Sequence, residues 1–389
     1  MNEYVLKNWL NYTLKKTLKL GFKYKIMANI NKTVVVGMSG GVDSSVAAFL
    51  LKEQGFKVQG LFMQNWQSEP DEVCTSEVDF ADASIVCDLL DIPLHRANFS
   101  DEYWDRVFKE FLSEHEKGRT PNPDILCNRE IKFKSFLDYA LKIGADHIAT
   151  GHYAALEYKN NKTLLIRSAD LNKDQTYFLH EVTGKEFAKC LFPLAALKKE
   201  EVRKIAEENK FINHNKKDSV GICFVGERNL KDFLKRFLEF HKGEIKDSEG
   251  NIVGTHPGAL LFTQGQRQGL NVGGVKDKPE LPWYVYDKSI KLNEVYVCQG
   301  EFNELLMSSG LIMESMKWIN PTSPPQILDC QVQVRHRGKP IDCKAQFLEG
   351  CVDLKFSEKI RAIAPGQSAV LYKNNECLGG GIIAKAIKA

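Results

Sequence analysis

No stretch of the 389-residue chain holds the run of about 18 apolar residues that a bilayer-spanning helix needs, so nothing in it reads as a membrane span. None of the ten cysteines is spaced Cys-x-x-Cys, which weakens both a structural zinc site and a cysteine-held cluster, and no other metal motif is readable. Residues 1–26 contain no arginine and no apolar core followed by small residues, which argues against a transit peptide and a secretory signal. The cytosol is therefore the expected compartment and the cysteines are expected to be reduced thiols. No internal repeat is visible.

Charge of one sign is also scarce. The net charge is +3, but residues 1–26 carry six lysines against Glu3, so the remainder of the chain is slightly acidic. A global basic balance cannot argue for nucleic acid, and any RNA surface must be a local patch. Met27 stands just before the first clear strand, and residues 1–26 are expected to be an extension outside the fold, disordered or not native.

What is present is an alternation of short β-branched runs with amphipathic stretches. Strands are expected at Thr33–Gly37, Lys57–Met63, Leu94–Asn98 and His147–Thr150. Helices are expected at Ser44–Gln54, Glu77–Leu90, near Glu102–Ser113, near Ile131–Ile143 and from Lys199 to about Asn209. Such a βα order implies a doubly wound parallel sheet with ligands at the carboxyl ends of its strands. A helical stretch from Asn229 to Phe240 follows. From Gly243 onward, Gly, Pro and short alternating segments such as Gln331–Arg335 and Ser368–Tyr372 read as β-barrel or sandwich material.

The sharpest motif is Gly37-Met38-Ser39-Gly40-Gly41-Val42-Asp43-Ser44-Ser45, between the first strand and the first helix. Its glycines let backbone amides converge, and its serines add hydroxyl donors at a helix N-terminus whose dipole favours an anion. It lacks the lysine of a GxxxxGK[ST] loop. It resembles instead the SGGxDSS pyrophosphate loop of the N-type ATP pyrophosphatases. That resemblance implies ATP binding, departure of pyrophosphate and transfer of AMP to a substrate oxygen.

Two further segments carry cysteines. Gly118-Arg119-Thr120-Pro121-Asn122-Pro123-Asp124-Ile125-Leu126-Cys127-Asn128 places Cys127 at an expected helix start, where the dipole lowers a thiol pKa. Asp218-Ser219-Val220-Gly221-Ile222-Cys223 places Cys223 in a short apolar run. Read singly, each cysteine is more readily a small core residue than a nucleophile. Together with the loop, these segments resemble the bacterial and organellar tRNA-specific 2-thiouridylases from about Lys32 to the C-terminus.

The resemblance implies a catalytic ATP pyrophosphatase domain over 27–224, a small central domain over 225–300 and a C-terminal tRNA-binding β-barrel over 301–389. It implies that Cys223 carries a persulfide, that Cys127 is the nucleophile that leaves a transient Cys127–Cys223 disulfide, and that Asp124 is the acid/base, with loop fixation as its plainer role. Asn122, Pro123 and Asp124 match the segment contacting the target base. Met63 and Gly151 match further ATP contacts, and His152 a tRNA contact. Lys173-Asp174-Gln175 resembles the KDQ segment contacting tRNA, followed by Thr176 where Ser is common. Arg335-His336-Arg337, with His336 where Tyr is common, and Pro365-Gly366-Gln367 resemble two more tRNA contacts, although Arg335 and Arg337 also suit a solvated strand face. Phe262, Gln264 and Gln268 depart from the central domain's commonest letters. Magnesium on the phosphates and a cysteine desulfurase, acting directly or through relay proteins, are implied as partners. The rival readings are a small-molecule ligase using the same loop, and a non-enzymatic RNA-binding protein.

Overall fold

Between Val34 and Met38 the first strand, β1 (Thr33–Met38), has no polar side chain, and Val34, Val35 and Val36 are fully buried. A strand apolar on both faces has to be covered on both, as in a parallel sheet between helices. The computed structural model describes residues 31–66, 75–218, 230–274, 279–321, 323 and 325–389. In it β1 pairs in parallel with β2 (Lys57–Gln64) and with β4 (His147–Ala149), β2 pairs with β3 (Leu94–Asn98), and helices α1 (Val42–Glu53) and α2 (Thr75–Leu89) follow β1 and β2. Val46, Ala47, Leu50 and Leu51 of α1 and Ala83, Val86 and Cys87 of α2 join the sheet's core. Each fully buried valine or leucine there is worth roughly 1.5–3 kcal/mol.

Two strands follow that no expectation covered: β5 (Ala154–Lys159) and β6 (Lys162–Arg167), an antiparallel hairpin. Asn160 and Asn161 at its turn both have positive φ, at 51° and 60°. Adjacent asparagines between alternating runs carry that signal, because Asn tolerates the left-handed region a two-residue hairpin turn demands. The short β7 (Cys190–Leu191) then completes a five-stranded sheet in the order β3-β2-β1-β4-β7. The order runs outward from β1 in both directions, so the carboxyl end of β1 is the switch point where such sheets open a crevice. The expected α/β domain with its parallel sheet is present.

Chain contacts divide the described residues into two units, one holding those within 31–103, 127–218 and 375–377, the other those within 104–126, 230–374 and 378–389. Residues 104–126, which the sequence suggests belong with the parallel sheet, cluster with the second unit because Phe108 stacks on Phe111 and packs against Phe233 and Phe237.

Within the second unit, β8 (Gly243–Lys246), β9 (Ile252–His256), β10 (Trp283–Ser289) and β11 (Glu294–Gln299) form a sheet in the order β10-β11-β8-β9. β12 (Met307–Trp318), β13 (Ile327–Gln333), β14 (Ile341–Leu348), β15 (Cys351–Arg361), β16 (Ser368–Lys373) and β17 (Glu376–Lys388) run in the order β12-β15-β14-β13-β16-β17, and antiparallel pairing of β12 with β17 closes the ring. This is the expected C-terminal barrel. Val332, Ala345, Leu354 and Leu371 fill its interior.

His115 gives the second unit a pH dependence. It is buried against Phe111, its ring 4.4 Å from that of Phe111. Burial pushes its pKa down to about 4, and the nearby Lys288 charge adds to the depression. Between pH 6.5 and about 4 the unfolded chain takes up a proton here that the folded chain refuses, so stability falls as pH falls through that window. A thermal melt at pH 5 is expected on the order of 5 °C below one at pH 7. The His115→Gln variant should lose part of that difference; an unchanged difference would assign it to other groups.

Candidate active site

The loop of Ser39 to Ser45 leaves the carboxyl end of β1 and turns into α1 on its own hydrogen bonds. Ser44 Oγ donates to the Gly41 carbonyl at 3.1 Å and accepts from the Ser39 amide at 3.2 Å, and Ser45 Oγ donates to the same carbonyl at 3.0 Å. Gly41 caps α1 and has no side chain to bond the first-turn amides, so those donors face whatever anion the loop receives. Gly40 adopts φ +71°, and a Cβ there would sit 2.3 Å from the Asp79 carbonyl oxygen of α2. Gly151 meets the loop from β4's side: a Cβ there would lie 2.7 Å from the Asp43 carbonyl carbon and 2.8 Å from the Ser44 nitrogen. The backbone itself is thus packed into the positions that shape the cradle.

Four residues that carry no local sequence signal hold this loop. Lys199, at the start of α4 (Lys199–Glu208), places Nζ 2.7 Å from both carboxylate oxygens of Asp43, and Tyr153 donates its hydroxyl to Asp43 Oδ1 at 2.9 Å. The short helix α3 (Pro123–Cys127) precedes α4 in the chain. Asn213 Nδ2 donates to the Gly40 carbonyl at 3.0 Å and to Ser45 Oγ at 2.9 Å. Lys216 bridges Asp79 and Asp82 at 2.7 and 2.5 Å and also reaches the Gly40 carbonyl. Burial, and then the charge and hydrogen bond of Asp43, push the Tyr153 hydroxyl's pKa up, so it stays a donor.

Lys199 is shared: its Nζ is also 2.7 Å from Asp218, which Lys173 reaches at 2.6 Å and Arg203 at 3.0 Å. Burial tends to raise the Asp218 carboxyl, but the hydrogen bonds of Lys173 and Lys199 outweigh it and bring its pKa down to about 2. Two carboxylates therefore converge on one nearly buried ammonium. Removing a partner from such a pair strands the remaining charges and costs several kcal/mol. We expect Lys199→Met to lower ATP turnover by roughly a hundredfold through a misplaced Asp43, with Lys199→Arg recovering part of it; equal rates for Met and the native lysine would remove Lys199 from the site.

Family models match the chain over residues 32–227 (described as a tRNA methyl transferase HUP domain), 231–299 (its PRC-barrel domain) and 308–383 (an aminomethyltransferase beta-barrel domain). Over 354 residues and 90% of each chain it is 50% identical to the tRNA-specific 2-thiouridylase MnmA of Marinobacter nauticus. It is 51% identical to the protein of that name from Actinobacillus succinogenes, over 91% of this chain and 92% of that one, and 52% identical to that of Pseudomonas fluorescens, over 90% and 94%. The chain belongs to the tRNA-specific 2-thiouridylase family. The domain descriptions speak of methyl transfer, but the names that cover nine-tenths of the chain are those of thiouridylases.

The remaining positions matched to the 2-thiouridylases fall into two groups. In the first unit, Met63 lies next to the end of β2 with its Cε beside Gly37, 3.2 Å from where a Cβ on that glycine would be. Lys173 is tied to Asp218 as above. Asp174 is buried and accepts from Thr176 Oγ1 at 2.6 Å and from the Ser168 amide at 3.0 Å. Gln175 exchanges hydrogen bonds with the Tyr153 backbone, its Oε1 accepting from the Tyr153 amide at 2.9 Å. The Lys-Asp-Gln segment thereby braces the partners of Asp43. His152 is buried among Phe133 and Phe192, bonded to Thr150 Oγ1 at 2.7 Å, with a pKa held well below the usual value by burial, so its ring is neutral.

In the second unit, Thr120 donates its amide to the Pro365 carbonyl at 2.9 Å and accepts from Gln367 Nε2 at 2.7 Å. The segment leading to Asn122 is thus joined to Pro365-Gly366-Gln367, two stretches far apart in sequence. Asn122 Oδ1 accepts from the Asp124 amide at 3.1 Å, capping α3 with proline at its first position. Asp124 is exposed. Arg335 and Arg337 are exposed on the β13–β14 connection, with His336 half-buried between them.

Cys127 departs from the expectation in one respect. The helix begins at Pro123, and Cys127 ends its first turn before helical backbone continues through Asn128–Ser135 and Phe136–Lys142. It does not occupy the helix start, because Pro123 already has the fixed φ and absent N–H that suit the first position. The thiol is 6% exposed. Cys223 lies outside the described residues. Among the described residues no three His, Cys, Asp or Glu side chains gather as a metal group, and no helix is long and apolar enough to cross a membrane.

Proposed function

We propose that this chain replaces the 2-carbonyl oxygen of the wobble uridine in tRNA with sulfur, using ATP. The observation that carries the reading is a phosphate-shaped loop, braced through Asp43 and Lys199, in a chain about half identical over nine-tenths of its length to proteins named tRNA-specific 2-thiouridylases. The division of labour is a catalytic domain over 27–224, a central domain over 225–300 and a tRNA-binding barrel over 301–389, working in the cytoplasm.

A uridine carbonyl oxygen is a very poor leaving group, and its adenylation makes departure as AMP feasible. The amides and hydroxyls from Gly37 to Ser44 hold the phosphates, with Met63 and Gly151 bounding the nucleotide. Magnesium would screen the phosphate charge, and Asp43 is the loop carboxylate that would hold it. The terminal sulfur of a persulfide on Cys223 attacks C2 and AMP leaves. The Cys127 thiolate then attacks the Cys223 sulfur, forming the Cys127–Cys223 disulfide and leaving the electron pair on the transferred sulfur as the thiocarbonyl. A two-electron reductant restores both thiols, and a cysteine desulfurase or relay protein reloads Cys223. Asp124, exposed on the first turn of α3, is assigned to move protons at the base. Asn122, Pro123, His152, Lys173, Asp174, Gln175, Arg335, His336 and Gln367 are assigned to tRNA recognition, of which the exposed Arg335 presents charge for phosphates.

The test is mass spectrometry of nucleosides from unmodified tRNA incubated with the protein, magnesium-ATP and a sulfide source, with and without ATP. ATP-dependent 2-thiouridine is the expected product. AMP release on a small molecule with no thionucleoside would move the assignment to a ligase.

A further inference from the structure

Away from the nucleotide loop, the barrel holds a second pair of thiols. Cys330 on β13 and Cys343 on β14 are direct partners in the antiparallel register, and their Sγ atoms lie 3.6 Å apart. Both face the apolar interior, 8% and 7% exposed. Residues directly opposed on antiparallel strands have Cα atoms about 4.5 or 5.5 Å apart according to their hydrogen-bonding class. Both spacings lie inside the range that a disulfide spans, about 4.4–6.8 Å. Bond formation therefore needs rotation of two side chains and no movement of the strands.

The pair sits at the base of the hairpin whose connection carries Arg335, His336 and Arg337. That connection is tightly turned: the Gly338 amide donates to the Arg335 carbonyl at 3.0 Å, Gln333 Nε2 donates to the same oxygen at 3.1 Å, and Arg337 adopts φ +59°. Across the strands, Gln331 Nε2 donates to Asp342 Oδ1 at 2.9 Å. The contact between the two sulfurs ties the ionisation of each thiol to the other.

We propose that Cys330 and Cys343 are a reversible oxidation site whose disulfide staples this hairpin. Hydrogen peroxide oxidises Cys330 to a sulfenic acid and releases one water. The Cys343 sulfur then attacks that sulfur, expelling the hydroxyl, which leaves with the Cys343 proton as a second water. One peroxide thus consumes two thiols and yields one disulfide and two waters. Peroxide is small enough to reach thiols that bulky oxidants cannot, and a small dithiol reverses the bond in the breathing or unfolded barrel. The oxidised hairpin holds the 334–340 connection on a fixed base, and this site stands whether or not that connection meets RNA.

The full chain, treated with graded peroxide, denatured in iodoacetamide and digested, tests the proposal by peptide mass spectrometry. A Cys330–Cys343 cross-linked peptide that disappears with dithiothreitol is expected, together with amide exchange in 334–340 slowed by about tenfold or more. Cys351, half-buried on β15 of the same barrel, reports the dose. In Cys343→Ser the sulfenic acid on Cys330 should persist and be captured by dimedone. If that variant does not fold, Cys330→Ser should lose the cross-linked peptide and leave Cys343 unlinked to any other cysteine. Cys330 and Cys343 both alkylated at doses that have oxidised Cys351, or either one linked to a different cysteine, overturns the proposal.

Discussion

Gly151→Ala should lower ATP-dependent AMP release by on the order of a hundredfold while leaving a folded protein. The added methyl has no space to enter: it would come within 2.7 Å of the Asp43 carbonyl carbon, 2.8 Å of the Ser44 nitrogen and 3.0 Å of the Asp43 Cβ. These are backbone and near-backbone atoms of the first turn of α1, which cannot turn aside as a long side chain can. The turn must shift, and with it the amides of the phosphate cradle and the carboxylate that Lys199 and Tyr153 hold. A displacement of about 1 Å at a reacting group costs on the order of a hundredfold in rate. Overpacking of this kind costs stability by about 1–3 kcal/mol, which a thermal melt would register as a modest loss. AMP formation at the native rate would mean that Gly151 is not part of the loop's support.

The second large effect separates the two halves of the proposed reaction. Cys127→Ala is expected to leave adenylation of tRNA intact and to lower 2-thiouridine formation by a factor on the order of 10³ or more, as when the nucleophile of an interdependent constellation is removed. The thiol is 6% exposed within a continuous helical stretch, so alanine, a better helix former, should not unfold it. Measuring AMP and thionucleoside in the same reaction makes the outcome unambiguous. Full thionucleoside yield would dismiss Cys127 as the nucleophile; loss of both products would instead assign it to binding or folding.

Legibility in the sequence followed the range of the interactions. The loop from Gly37 to Ser45 was readable because it is built from neighbours: three glycines, three serines and the strand and helix that flank them. Strand limits in the parallel sheet were readable for the same reason, an apolar run between turn residues, and β3 coincides with the expected Leu94–Asn98. Lys199 was not readable as a site residue. In the sequence it opens an amphipathic helix in a Lys-Lys-Glu-Glu run that looks like a solvated face, and only the fold brings it 156 positions back to Asp43. Tyr153 and Asn213 escaped likewise, their loop contacts lying 110 and 173 positions away. The start of α3 lies at Pro123 and not at Cys127, because an asparagine followed by a proline also caps and opens a helix, a signal that looks like a loop in the sequence.

Closure of the barrel through β12 and β17 has an evolutionary consequence. Each wall strand is hydrogen-bonded on both sides, so the wall is held by its own ladders and owes little to the connections at its rim. Those connections can lengthen, shorten or change charge while the wall persists, as surface loops on a rigid scaffold generally do. The 334–340 segment is accordingly an exchangeable module: grafting it from one relative onto another transfers whatever preference resides there, and new substrate ranges can arise by loop replacement with no redesign of the core.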